Sequence, residues 1–204
     1  DYFKIEVEGK STHTSTPHKG IDALYIASQI VVNIQSIISR NLNPLDNAVV
    51  SVGKLISGTA YNIVAQNALI EGTTRAFSKE VRDKIETMIR EIAEYNAKPY
   101  CATVKVEFQN YADPLINNPE ATEELSLVAT KFADVVHKDS PKRLGADDYA
   151  DYLNIMNGTY VFIGTNNDNP NTHSPHHNEM FDIDEDSMLL ASSIIVDYTR
   201  EFLK

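Results

Sequence analysis

Tyr2-Phe3-Lys4-Ile5-Glu6-Val7-Glu8, running into Gly9-Lys10-Ser11-Thr12-His13-Thr14-Ser15-Thr16-Pro17-His18, is the stretch on which the reading of this chain turns. Its first seven residues alternate apolar and polar, as a strand with one buried face does. After His18 the period changes. Ile21, Leu24, Tyr25, Ala27, Ile30, Val31, Ile34, Ile37 and Ile38 recur at helical spacing and predict a helix over 20–41, stopped by Leu42-Asn43-Pro44. Its apolar residues cover more than one face, so it packs on a sheet and also meets something else. The loop between strand and helix is small and polar and carries two imidazoles. Such a loop is a good mount for a reactive side chain, and it reads as well as a surface turn with two solvated histidines.

Working outward, 48–56 reads as a second strand, 57–62 as a loop and 65–77 as a third strand. Ser78 caps a second helix to about Asn96, with Val81, Ile85, Met88, Ile89 and Ile92 on one face. Ala102-Thr103-Val104-Lys105-Val106-Glu107-Phe108 alternates cleanly and closes the unit. Strand, helix, strand, strand, helix, strand is the ferredoxin-like order. The predicted fold is therefore α+β: a four-stranded antiparallel sheet with two helices on one face over residues 1–112. An exposed strand edge is left for a partner.

Composition shifts at Tyr111-Ala112-Asp113-Pro114, taken as a boundary. Residues 113–204 predict helices over 119–136, after Gly145 and from 184 to the end, with a short apolar strand at 160–164. One strand among three helices cannot build a layered domain. This segment reads as part of an α/β domain, with apolar surface exposed around 160–163.

The 204 residues include 29 acidic against 18 basic side chains, a net charge of -11, and no basic stripe. That argues against nucleic acid or an anionic membrane as partner. No apolar run reaches membrane-spanning length, and the single Cys101 points to a reducing, cytoplasmic compartment. The chain opens on a strand without an initiator Met, so its first residue is not expected to be the natural N-terminus.

Candidate chemistry lies in four places. His173, His176 and His177 follow the 160–164 strand, where open α/β sheets place ligands; they read either as metal ligands or as a solvated loop. Asp147 and Asp148 open a predicted helix as ligands or as caps. The amide of Asn62, in Gly58-Thr59-Ala60-Tyr61-Asn62, can bond a substrate carbonyl or carboxylate, or serve turn chemistry. Arg75, in Gly72-Thr73-Thr74-Arg75, can hold an anion bidentately or face solvent.

Taken in order, these motifs resemble a known family. They are Gly9-Lys10 with His13-Thr-Ser-Thr-Pro-His18-Lys-Gly-Ile-Asp22, Ser39-Arg40-Asn41, Gly58-Thr-Ala-Tyr-Asn62-Ile-Val, Gly72-Thr-Thr-Arg75, Gly145-Ala-Asp147-Asp148-Tyr-Ala, and His173-Ser-Pro with Phe181-Asp-Ile-Asp-Glu185. They are similar to those of the binuclear-metal amidohydrolases and peptidases: hippurate hydrolase, indole-acetyl-amino-acid hydrolases, aminoacylase and carboxypeptidase G. The branch resembled most cleaves N-acyl amino acids. The resemblance implies a lid domain, a homodimer formed through it, and divalent metal ions (Zn, Mn, Co or Ni), two per site.

It also implies roles. His13 would reach the partner's active site and stabilise the oxyanion, Asn62 and Arg75 would bind substrate, and His173 would be a metal ligand. Asp147 stands where the family has glutamate. The family's remaining metal ligands and its Glu-Glu general base precede the lid, and Glu123-Glu124 here lies in a different context. The expectation is a fragment of such a hydrolase, inactive alone; the alternatives are a non-catalytic dimerisation or binding module and a ferredoxin-like regulatory domain.

Overall fold

In a computed structural model describing residues 1–204, the opening alternation produces β1 (Tyr2–Glu8), with Phe3, Ile5 and Val7 buried and the residues between them on the other face. The chain forms two compact units, Asp1–Pro114 with Leu144–Asp148, and Leu115–Arg143 with Tyr149–Lys204.

In the first unit β1 is followed by β2 (Thr12–His13), α1 (Ala23–Ile34), β3 (Ala48–Ser57), β4 (Ile63–Val64), β5 (Asn67–Ala76), α2 (Lys79–Ala97) and β6 (Thr103–Gln109). The main sheet has the order β3-β5-β1-β6 with every pair antiparallel, and β2 and β4 form a separate two-stranded ribbon. This is the ferredoxin-like sheet that the pattern predicts. Both helices cover one face. Phe3, Ile5 and Ile70 from the sheet meet Ile26, Ile30 and Ile34 from α1 and Ile85 and Ile89 from α2, each no more than 1% exposed.

Local chemistry sets the boundaries. The Asp22 carboxylate accepts from the N–H groups of Leu24 (3.0 Å) and Tyr25 (3.2 Å), and Ser78 Oγ accepts from Val81 N–H (3.2 Å), so both helices start on a side-chain cap. The first helix is shorter than its apolar pattern predicts. Ile21 cannot join it, because its N–H and C=O are both bonded to Lys10 at 2.9 Å. At the far end, Ile37–Asn41 winds into a wide π-type turn closed by Leu42 N–H on Ile37 O. The predicted 65–77 strand likewise divides into β4 and β5, since Ala65 and Gln66 give their carbonyls to Ala23 and Gly9.

Gly72 faces Phe3 across β5 and β1. A Cβ there would lie 2.3 Å from the Phe3 ring and 2.4 Å from Ser51 O, so only glycine leaves room for the ring at this position. The face away from the helices is a charge ladder: Lys4 bonds Glu6 and Glu107, Lys105 bonds Glu107, and Lys54 and Tyr2 both bond Glu71.

The second unit contains α3 (Pro119–Ala129), α4 (Tyr149–Leu153) and α5 (Asp186–Phe202), with no sheet. α3 ends before the predicted 136. Val135 is 67% exposed, so this β-branched stretch has no face to pack on that would offset its poor helix propensity. The predicted 160–164 strand does not form as a strand either. The amide of Asn117 donates to Tyr160 O (2.9 Å) and accepts from Tyr160 N–H (2.8 Å), standing in for one residue of a neighbouring strand. No real neighbour continues the ladder, and Val161 and Phe162 stay exposed.

Candidate active site

The β2–β4 ribbon brings two of the predicted residues together. His13 pairs with Ile63, and the next rung is made by Asn62, whose carbonyl accepts from Thr14 N–H (3.1 Å) and Thr14 Oγ1 (3.2 Å). Just ahead of the ribbon, Lys10 bridges to Ile21, the residue before the α1 cap. At the root of the ribbon Gly9 packs so close that a Cβ would lie 2.2 Å from Ile21 O. After His13 the chain turns sharply: Thr16 N–H bonds His13 O at 2.9 Å, and Pro17–Lys19 adds a short 3-10 turn.

The His13 ring is exposed. Its Nδ1 accepts from Ser15 N–H (3.1 Å) and lies 2.7 Å from Ser15 Oγ, while Nε2 makes no hydrogen bond within the chain. Asn62 is half-buried, and Tyr61 beside it is 99% exposed at the tip of the β3–β4 loop. A shallow open groove runs alongside, lined by Thr14, Leu24, Gly58, Tyr61 and Ala65.

Arg75 is elsewhere. It lies on the open face of β5, opposite Val49, at the end of the strand remote from the ribbon. Eight residues of extended chain separate it from Asn67, roughly 27 Å at about 3.4 Å per residue.

Nearby stands a cluster that sequence reasoning missed. The Arg82 guanidinium donates from Nε (2.6 Å) and Nη2 (2.5 Å) to the Asp1 carboxylate, and from Nη1 to Asp113. The Arg82 and Asp1 side chains are 10% and 4% exposed. The acid partners lie 81 and 31 residues from Arg82 in sequence, so no local spacing signals the triad.

In the second unit His173 closes a short 3-10 turn, Pro170–His173. Its Nε2 is 2.8 Å from Asn167 O; a carbonyl only accepts, so Nε2 carries the hydrogen and Nδ1 keeps its lone pair. His176 instead packs edge-on against Phe181, and His177 takes a positive φ of 66°. Asp147 and Asp148 precede α4. No group of three or more His, Cys, Asp or Glu is arranged to hold a metal ion.

Residues 1–101 match the peptidase dimerisation domain family. The whole chain is 34% identical over 203 residues to the N-acetyl-L-cysteine deacetylase of Bacillus subtilis, covering 47% of that protein. It is 35% identical over 193 residues to thermostable carboxypeptidase 1 of Saccharolobus solfataricus, covering 94% of this chain and 49% of that one. Among solved structures, a Bacillus subtilis protein described as a dinuclear metal binding peptidase from the M20 family superposes with a TM-score of 0.75 at 27% identity, over 97% of this chain and 48% of its own. The chain thus spans about half the length of the curated relatives it matches.

Proposed function

We propose that this chain, whose residues 1–101 match the peptidase dimerisation domain family, is the lid and one end of the catalytic domain of a metal-dependent amidohydrolase of the M20 family, like the relatives it resembles. In this reading residues 1–112 are the lid and dimerisation domain, and 113–204 the C-terminal part of an α/β catalytic domain. Supporting the substrate class, a deacetylase of an N-acetyl amino acid and a carboxypeptidase both break an amide beside a free α-carboxylate. The proposed substrates are N-acyl amino acids or small peptides.

The observation that carries the reading is the ribbon. It projects an exposed imidazole with an unused Nε2 next to Asn62, on a unit whose own core is complete. Attack on an amide carbonyl turns its oxygen into an oxyanion, which needs a fixed hydrogen-bond donor about 3 Å away. His13 supplies that donor to the active site of a second copy, and Asn62 orients the substrate beside it. Arg75 holds the substrate carboxylate. Being remote from the ribbon of its own chain, it serves a substrate together with the His13 of the other copy.

The residues present do not by themselves make up a metal centre. The divalent ions, whether Zn, Mn, Co or Ni, take further ligands from outside these 204 residues, and His173 offers one imidazole nitrogen. The dimer forms through the exposed outer side of α1, where Tyr25 and Val32 are 47% and 63% exposed, and the unpaired edge of β3. No helix is long and apolar enough to cross a membrane; with one unpaired cysteine, the proposed compartment is the cytoplasm. The absence of a metal-holding group favours a second reading, a non-catalytic dimerisation or binding module.

One experiment separates the two. In the full-length protein, His13→Ala is expected to lower kcat on N-acetyl amino acids roughly 100- to 1,000-fold, and His173→Ala to abolish metal-dependent turnover. Mixing the two inactive variants restores part of the activity if His13 acts across the dimer. Full activity of His13→Ala, or no recovery on mixing, refutes the proposed site. No hydrolysis by the unmodified protein with any divalent metal leaves the binding module.

A further inference from the structure

The loop after β2 does more than display an imidazole. A neutral histidine ring carries one hydrogen, on either Nδ1 or Nε2, and the nitrogen without it accepts. A backbone N–H can only donate. Ser15 N–H pointing at His13 Nδ1 from 3.1 Å therefore requires the lone pair on Nδ1 and the hydrogen on Nε2. The Ser15 hydroxyl, 2.7 Å from the same nitrogen, is then a second donor to it.

The turn makes this arrangement possible. Thr16 N–H bonds His13 O at 2.9 Å and folds Ser15 back over the ring, while the Ile63 pairing holds the backbone of His13 on its other side. Thr16 Oγ1 adds a bond to His13 O at 3.3 Å, so the turn is clamped twice.

We propose that Ser15 is a positioning residue that fixes the tautomer of His13, engaging Nδ1 so that the outward Nε2 is always the N–H donor. This deepens the reading of His13 as an oxyanion donor and rests on it for its consequence. The other tautomer would aim a lone pair at a developing negative charge, and a freely exchanging ring would spend part of its time in that useless form. Ser15 touches neither substrate nor metal in this scheme. It acts through the ring alone.

The test is a long-range proton–nitrogen correlation spectrum of the histidine rings in the labelled 204-residue chain, recorded at alkaline pH, with His13 assigned from His13→Gln. The unmodified chain is expected to show Nε2 as the protonated, pyrrole-like nitrogen. Ser15→Ala removes one of the two donors and should lower the ratio of the Nε2–H to the Nδ1–H form roughly two- to tenfold; Ser15→Thr keeps the hydroxyl and should keep the ratio. Both substitutions lie on an exposed loop and leave the core untouched. A ring protonated mainly on Nδ1 in the unmodified chain, or a ratio unmoved by Ser15→Ala, overturns the proposal.

The spectrum needs neither substrate nor metal, so it stands apart from the functional reading. The expected tautomer combined with a fully active His13→Ala enzyme would refute the oxyanion role while leaving the Ser15 assignment in place. Where both hold, Ser15→Ala lowers kcat in proportion to the fall in the Nε2–H fraction that the spectrum reads, with KM unchanged, and Ser15→Thr restores it.

Discussion

The two units of this chain use apolar residues in comparable patterns and end in opposite states. In the first, a sheet face and two helices meet, and Phe3, Ile5, Ile30, Ile34, Ile85 and Ile89 reach full burial. In the second, α3 and α5 bury only Leu125, Val128, Ile194 and a few small residues, while Leu189, Ile195 and Phe202 of α5 stay 73%, 64% and 72% exposed. A helix needs a surface broad enough for its apolar stripe, and a single partner helix does not cover the stripe of α5. Periodicity says which residues are meant to be covered. It does not say that the cover lies in the same stretch of chain.

The comparison breaks most readily through the core. Phe3→Ala is expected to destabilise the first unit by about 3–5 kcal/mol, since it empties a fully enclosed site stacked on Phe108. Leu189→Ala in the second unit should change stability by less than about 0.5 kcal/mol. Urea unfolding of both variants measures the contrast; equal losses would mean that the second unit has a core of its own.

Next in size is Arg82→Ala, at about 3 kcal/mol, because it strands the buried Asp1 carboxylate. The low end of the range for buried pairs applies, as Asp113 keeps 32% of its side chain in solvent. A loss under about 1 kcal/mol in the same assay would make the triad an ordinary surface contact.

The smallest effect is a pH dependence. Lys105 and then Lys4 hold the Glu107 carboxyl below its usual 4.5, and Lys54 and then Tyr2 do the same for Glu71. A lowered carboxyl pKa gives stability that is present above the unfolded value and lost as pH falls through the folded one. The denaturation midpoint of the first unit should therefore drop as pH goes from 5 to below 4, and Glu107→Gln should flatten the drop. A curve unchanged in Glu107→Gln would remove the charge ladder from the account of stability.

Much of the first unit was legible because its determinants are local. The alternation of Tyr2–Glu8 and the caps Asp22 and Ser78 each act within a few residues. What escaped depends on distant partners. Lys10 takes Ile21 out of the helix, Ala65 and Gln66 are claimed by Ala23 and Gly9, and Arg82 finds acids far along the chain. The apolar run at 160–164 reads as a strand from its composition, whereas a strand is defined by a neighbouring strand, and here the Asn117 amide fills one rung of that place. Of the candidate residues, His13 and Asn62 adjoin on the ribbon, Arg75 stands apart from them, and the three C-terminal histidines do not converge. The bond from Ser15 to His13 spans two residues, and a small polar residue two places after a histidine is the signal that could have revealed it.

The Arg82 triad has a further consequence, one of modularity. Asp1 and Asp113 flank β1 to β6 of the sheet unit on either side, and both lie within the reach of one guanidinium. A unit whose two flanks are held that close has the geometry of a cassette. It can be spliced into a surface loop of a host protein, exchanged for another, or excised and replaced by a short linker, with little change in the path of the host chain.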